Sequence, residues 1–303
     1  DEMRASFERL LTQYPSGMCV NSLLAARNFD VHQEHIIVGN GAAELIKYLV
    51  ERHEGKLGCI RPTFEEYPNR CRPDDVVCFW PQNENFAYDA DDVTEFFKDK
   101  DISMLVLINP DNPSGNYIGK AELLRIADWC EAKGIRMIAD ESFADFADEE
   151  DNSLIDEAIL NAHPHLVVVK SISKSYGVPG IRLGVLASAD EALIAGMKKD
   201  AAIWNINSFG EFYMQIAEKY VKNYAAALRK FKATRKTMGE ALVGIPALRV
   251  IPSQANYFML ELTVNVSARE LTRRLLTEHD ILVKDLSAKL AQSGSQYVRV
   301  AVR

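Results

Sequence analysis

His165-Leu-Val-Val-Val-Lys-Ser-Ile-Ser-Lys-Ser-Tyr-Gly-Val-Pro-Gly-Ile-Arg-Leu-Gly184 is the stretch on which the reading of this chain turns. The β-branched run Val167–Val169 predicts a buried strand. It empties into a polar segment in which serines flank Lys174, Pro179-Gly180 marks a turn, and Arg182 follows. A lysine at a strand exit, among hydroxyls and near an arginine, suits a group that must hold an aldehyde next to a phosphate. Lysine is the side chain that forms Schiff bases, and a neighbouring cation helps by lowering its pKa. A surface lysine in a polar loop is the plain alternative, and the rest of the chain decides between them.

Strand-like runs recur on both sides: Leu57–Ile60, Val76–Phe79, Met104–Ile108, Arg136–Ala139 and Leu183–Ala187, with helical patterns such as Lys120 to Lys133 between several of them. This alternation predicts an α/β fold with a mostly parallel sheet covered on both faces. Ligands in such sheets sit beyond the carboxyl ends of the strands. The unusual residues collect there: Pro62-Thr63-Phe64, Asn109-Pro-Asp-Asn-Pro-Ser-Gly115, and Asp140-Glu141-Ser142-Phe143. Earlier, His35-Ile-Ile-Val-Gly-Asn-Gly-Ala-Ala-Glu44 reads as a strand, a glycine turn and a helix start. The free N–H groups of such a start make an anion site, and Gly41, Ala42 and Ala43 are small enough to let a phosphate approach. A plain β–α turn is the alternative there. No G-x-G-x-x-G and no P-loop lysine is present, which disfavours dinucleotide and triphosphate sites.

Residues 1 to 29 read as helix, turn, helix, broken at Tyr14-Pro15-Ser16-Gly17. From Trp204 to about Lys236 the pattern is helical, and beyond it Leu248–Ile251, Tyr257–Leu262, a helix near Ala268–His279, Leu282–Lys284 and Tyr297–Val302 predict a smaller α+β domain. The expected division is an N-terminal segment over 1–30, a large domain over 31–210 and a small domain over 211–303.

At 303 residues, with 48% hydrophobic and 26% charged residues, the composition is that of a soluble globular enzyme. The net charge of −8 argues against a nucleic-acid or anionic-membrane surface. Five cysteines without C-x-x-C spacing read as reduced thiols of a cytoplasmic protein. No signal peptide and no bilayer-spanning apolar run is seen. His32/His35 and His163/His165 lack acidic or thiol partners at metal spacing, so they read as solvated loop histidines and no metal is expected. Asp148-Glu-Glu-Asp151 reads as a solvated loop. The chain opens on Asp1 in a helical pattern and stops at Arg303 in an alternating one. The expectation is a piece of a longer polypeptide, fused to another domain, or one trimmed of disordered ends.

Taken together, the strand-end residues make one chemical device. Asp140 suits a heteroaromatic nitrogen that must stay protonated, Lys174 an aldehyde, Asn112 a phenolic oxygen, Phe64 a ring, and the serine–arginine–helix cluster a phosphate. That set describes pyridoxal 5′-phosphate, whose pyridinium is an electron sink. With these motifs in order, the sequence resembles a fold-type-I, class I/II pyridoxal-phosphate aminotransferase over about Tyr14 to Arg303. Within that class it is similar to histidinol-phosphate aminotransferase and threonine-phosphate decarboxylase. The resemblance implies a large domain with a mostly parallel seven-stranded sheet between helices, and a smaller C-terminal α+β domain. It implies that Asn112 contacts the phenolic oxygen, Asp140 the pyridine nitrogen and Phe64 the ring face. Lys174 is then the Schiff-base lysine, with Ser171, Ser173, Arg182 and the backbone of Gly41 and Ala42 at the phosphate. Tyr14 resembles the tyrosine that reaches the neighbouring subunit's phosphate, which implies a homodimer with shared sites. Arg299 resembles the substrate-carboxylate clamp.

Two departures stand out. Phe143 occupies the position of a tyrosine that donates to the phenolic oxygen, and the family's amino-terminal arm is not seen in the sequence. Meanwhile Gly177-Val-Pro-Gly-Ile-Arg-Leu-Gly184 and Trp204-Asn-Ile-Asn207 look closer to the decarboxylase branch. The leading expectation is an aminotransferase moving an amino group between a small amino acid or amino-phosphate and a 2-oxo acid. The alternative is an amino-acid decarboxylase of the threonine-phosphate type, and a third reading is a non-catalytic cofactor-binding domain of a larger protein.

Overall fold

A computed structural model describes residues 1–303, the side chain of Gln292 excepted. Seven strands build the large sheet: β1 (Ile36–Asn40), β2 (Leu57–Ile60), β3 (Val76–Phe79), β4 (Met104–Ile108), β5 (Arg136–Asp140), β6 (Leu166–Lys170) and β7 (Leu183–Ala187). Their spatial order is β1-β7-β6-β5-β4-β2-β3. The five from β3 across to β6 run parallel, and β7 runs antiparallel to both β6 and β1. Every residue of β4, β6 and β7 is buried, because helices cover both faces and leave no side of these strands to water. Successive side chains point to opposite faces. Leu105, Met137, Val168 and Val185 pack with Leu123 and Ile126 of the helix Lys120–Ala132. Val106, Ile138, Val167 and Leu186 pack on the other face with Leu45, Ile46 and Leu49 of the helix Ala42–Glu51. Each such aliphatic side chain stabilises the fold by roughly 1.5–3 kcal/mol.

The reversed direction of β7 has a positional consequence. Its first residue, Leu183, pairs with Asn40 at the end of β1. Gly41, Asp140, Ser171 and Arg182 therefore all emerge at one edge of the sheet, although they come from strands of both directions.

A second, antiparallel sheet comprises β8 (Leu248–Val250), β9 (Tyr257–Leu262), β10 (Lys284–Asp285) and β11 (Gln296–Ala301), in the order β10-β11-β9-β8. The helices Val221–Val243 and Ala268–His279 pack on it through Phe231, Met238, Leu242 and Leu271. Phe143 and Phe146 of the large sheet's loops meet Ala255 and Tyr257 in a separate apolar cluster, so the two sheets are joined beside the strand ends.

The opening segment is broken once more than its pattern predicts, into Glu2–Ala5 and Phe7–Thr12 before Met18–Phe29, and the run expected at Leu282–Lys284 pairs only at Lys284–Asp285. The histidine reading is corrected. His35 is buried, and the carboxylate of Glu157 lies against both it and His32. His163 bonds Asp128 at 3.0 Å, and His165 has a buried Nδ1. These partners lie far away in sequence, so spacing could not show them. The loop Asp148–Asp151 is exposed, but Asp148 pairs with Arg235 at 2.6 Å and Glu149 accepts from Tyr117 at 2.7 Å. No helix among the described residues is long and apolar enough to cross a membrane.

Candidate active site

Lys174 sits on a single helical turn, Ile172–Ser175, that starts as soon as β6 ends. The turn is fixed from below: Ser173 is buried and its hydroxyl accepts the Leu183 N–H at 2.7 Å, while the Ser142 hydroxyl accepts the Ser171 N–H at 3.1 Å. Lys174 Nζ lies 4.9 Å from the Phe64 ring centre and 4.7 Å from that of Phe143. Burial between these rings, together with the charges of Arg299 and Arg182, holds the amine below its ordinary pKa, against the opposing pull of Asp140. A buried amine that gives up its proton easily is a nucleophile.

Asp140, the last residue of β5, is held by two donors. Its Oδ2 accepts the Tyr67 hydroxyl at 2.9 Å, and its Oδ1 accepts the Ser142 N–H at 2.9 Å. Tyr67 is fully buried, and burial plus the Asp140 charge push its pKa well up, so it stays a donor. Tyr67 was not singled out from the sequence. Its only signal is its place three residues beyond Phe64 in the same loop, and the two rings meet edge-on with centres 6.5 Å apart.

Gly41 caps the helix Ala42–Glu51 with φ of +79° and no side chain, so the first N–H groups of that helix face the sheet edge uncapped. A Cβ at Gly41 would collide with the Arg182 guanidinium, and one at Gly184 with the backbone of Ala42. The two chain segments are thus drawn together as closely as backbone allows. Arg182 is exposed and has no carboxylate partner among the described residues. Ala42 is buried and Ala43 half-buried beside it, so an uncapped helix start faces an unpaired guanidinium, which is a ready anion cradle. Ser171 is buried at the same edge. Tyr14, by contrast, is 79% exposed and stacks on Trp204 at 4.3 Å, outside this constellation within the single chain.

On the side of the second sheet, Arg299 of β11 donates to Asn112 Oδ1 at 2.5 Å and lies over the Tyr257 ring at 4.8 Å. The bond engages the Asn112 carbonyl and leaves its amide N–H groups free to donate. Two cations that sequence reasoning missed lie nearby. Lys289 Nζ donates to the Thr63 carbonyl and pairs with Glu65 at 3.3 Å, and Arg61 pairs with Glu65 at 2.6 Å. Burial and the charges of Arg299 and Arg61 hold Lys289 below its ordinary pKa in spite of Glu65. Burial pushes the Asp111 carboxyl up to about 7. The group Arg61, Lys289 and Arg299, set against Glu65, is therefore net positive. No sequence pattern ties Lys289 to Thr63, 226 residues away.

A carboxylate at the floor, an amine between two rings, an amide donor, and an anion cradle that a Cβ would fill all fit a phosphorylated pyridoxal. The comparisons agree. A family model described as aminotransferase class I and II matches residues 9–302. The chain is 33% identical to an L-serine phosphate decarboxylase of Sulfurospirillum multivorans, over 98% of the chain and 77% of that protein. It is 32% identical to a CMP-5′-(3-aminopropyl)phosphonate synthase of Streptomyces rubellomurinus, over 99% of the chain but only 47% of that protein, so it spans about half of that relative's length. The solved structure of a decarboxylase from Sulfurospirillum multivorans superposes with a TM-score of 0.89 at 32% identity, covering 100% of the chain and 78% of that structure. The histidinol-phosphate aminotransferase of Clostridium acetobutylicum does so at 0.85 and 25%, covering 100% and 89%.

The fold and site define a fold-type-I pyridoxal-phosphate enzyme, as the resemblance implied. More narrowly, the chain belongs to the class I and II aminotransferase family, and its cofactor is pyridoxal 5′-phosphate.

Proposed function

We propose that the chain catalyses decarboxylation of an amino acid carrying a phosphate or phosphonate group, in preference to the amino transfer that the sequence led us to expect first. The observation that carries this reading is the net-positive group Arg61, Lys289 and Arg299, which reaches Lys174 through Arg299. It suits a dianionic substrate end, and the relatives named for decarboxylation of L-serine phosphate and of threonine phosphate support it. The cofactor supplies an electron sink for the pair left when a bond to Cα breaks. Asp140, fixed by Tyr67 and Ser142, holds negative charge where a pyridine nitrogen must keep its proton. Gly41, Ala42, Ala43, Ser171, Ser173 and Arg182 would hold the cofactor phosphate, Phe64 and Phe143 would flank the ring on either side of Lys174 Nζ, and Asn112 would donate to its oxygen. A substrate anchored by its phosphate at Arg61 and Lys289 would leave its α-carboxylate free of that anchor. Loss of carbon dioxide from that position would leave an electron pair at Cα, and Lys174 Nζ, having taken up a proton from the substrate's ammonium group, would deliver it there.

The test is to incubate the holoprotein with O-phospho-L-serine and O-phospho-L-threonine, with and without 2-oxoglutarate, and to measure carbon dioxide and glutamate in parallel. Carbon dioxide without glutamate is expected. Glutamate without carbon dioxide would restore the aminotransferase reading, and neither product with cofactor bound would favour a non-catalytic domain. Lys289→Ala should raise KM for the phosphorylated substrate by about tenfold or more, since a hydrogen bond to a charged group is worth ~1.5–3 kcal/mol.

A further inference from the structure

At the opposite end of β1 from Gly41, the turn Gln33–His35 leads into the strand, and the helix Glu157–Ala162 begins beside it. Glu157 Oε1 lies 3.1 Å from His32 Nδ1 and 2.9 Å from His35 Nδ1, and the ligand atoms of all three residues lie within 4.8 Å of one another. We propose that His32, His35 and Glu157 form a transition-metal site, with Zn²⁺ as its ion.

Three observations carry the assignment. First, His35 is 5% exposed, and its Nδ1 makes no hydrogen bond although the carboxylate oxygen is so near. The oxygen lies off the line of the ring nitrogen, where a second ligand of a shared ion belongs, and not on it as an acceptor would. Ligands about 2.0–2.2 Å from a tetrahedral ion are themselves separated by roughly 3.3 Å, near the 3.1 and 2.9 Å from Glu157 Oε1 to the two imidazoles. The ligand nitrogens of the imidazoles lie within 4.8 Å of each other and close on the ion by a small rotation of the exposed His32 ring. Second, the carboxylate is oriented independently of the imidazoles. Its Oε2 accepts the His32 backbone N–H at 2.9 Å, and its Oε1 accepts an amide N–H of Asn161 at 2.9 Å. On the far side of His35, Glu191 lies 3.8 Å from Nε2, beyond direct hydrogen-bond distance. Third, the site has an entry path, since the His32 side chain is 70% exposed while His35 anchors the inside.

Two imidazoles and one carboxylate with an open position suit Zn²⁺ and not the all-oxygen sites of Ca²⁺ or Mg²⁺. The ion ties the turn before β1 to a helix more than a hundred residues later, at the end of the sheet away from Lys174. Its role is to lock the sheet's outer strand.

The test uses chelator-treated holoprotein titrated with Zn²⁺ by calorimetry, with thermal melting in parallel. One ion per chain and a higher melting temperature are expected, because a ligand that binds only the folded state stabilises it. His32→Ala, an exposed position that keeps the fold, should bind about tenfold or more weaker and lose the melting shift, and Glu157→Gln should do the same. Co²⁺ in place of Zn²⁺ should give tetrahedral ligand-field bands without thiolate charge transfer. Absence of binding, wild-type affinity in both variants, or thiolate bands pointing to the pair Cys59 and Cys78, 3.9 Å apart, would each overturn the assignment.

Discussion

Lys170 and Lys174 lie on one short stretch, and their neighbours drive them apart. Lys170 is fully buried, but its pairing with Asp145 at 2.5 Å and the charge of Glu141 outweigh burial and raise its pKa, so it stays a locked cation. Lys174 is held low instead. Borohydride reduction of the holoprotein should therefore fix the cofactor mass on the peptide containing Lys174. The same mass on Lys170 would refute the assignment. Lys174→Ala should lose at least about 10²-fold in turnover, the range of a lost acid–base group. Asp111 offers a stability counterpart. Its folded pKa of about 7 lies above the ordinary 3.8, so the folded state holds an extra proton between those values. Stability then falls as pH rises through that window, with the full penalty present above it. Some three pH units correspond to ~4 kcal/mol. Asp111→Asn keeps an acceptor for the Ser114 hydroxyl, now bonded at 2.6 Å, and should flatten the fall in urea midpoint between about pH 4 and pH 7. An unchanged fall in the variant would remove Asp111 as its source.

Among elements, the helix Val221–Val243 is unusual in that its one buried residue, among those described, is a charged one. Arg235 donates to the carbonyls of Phe146 and Gln254 at 2.6 Å each and to Asp148 at 2.6 Å. The three acceptors are reached from two separate nitrogens, Nη1 and Nη2, a span that the single ammonium of a lysine does not offer. Arg235→Met should cost ~3 kcal/mol by urea denaturation, because the carbonyls lose a charged donor, and Arg235→Lys should recover only part of it. A cost below about 1 kcal/mol would mean that water reaches those carbonyls. This clamp marks where the sequence stopped being readable. The strands were legible because a buried run such as Val167–Val169 states its own environment, and the site motifs were legible because each lies within a few residues at a strand end. The reversal of β7 was not, since an apolar run carries no direction. Nor were Tyr67 beneath Asp140, Lys289 beside Thr63, or Glu157 beside His32, whose partners lie 73, 226 and 125 residues away. Those pairings are products of topology, and no local period encodes them.

At the scale of the molecule, Phe7, Leu11, Tyr14, Leu23, Ile203 and Trp204 expose apolar surface, with Tyr14 stacked on Trp204. If a second copy covers it and Tyr14 completes the neighbour's cradle, mixing Tyr14→Ala with Lys174→Ala subunits should restore activity above either variant alone. A mixture no better than its parents, with mixed dimers verified by mass, would count against shared sites. The sheet's connectivity also sets a schedule. β1 has β7 as its one partner in the large sheet, about 150 residues further along. At ~5–20 residues per second of synthesis, roughly 8–30 s separate the two. Until β7 arrives the apolar strand Ile36–Val38 has no neighbouring strand, and β6, once made, keeps an open flank as well. A nascent chain stalled before Leu183 is therefore a substrate for holding chaperones, with facing edges of β1 and β6 bare and Arg182 not yet brought against Gly41, because the two meet only when β7 arrives.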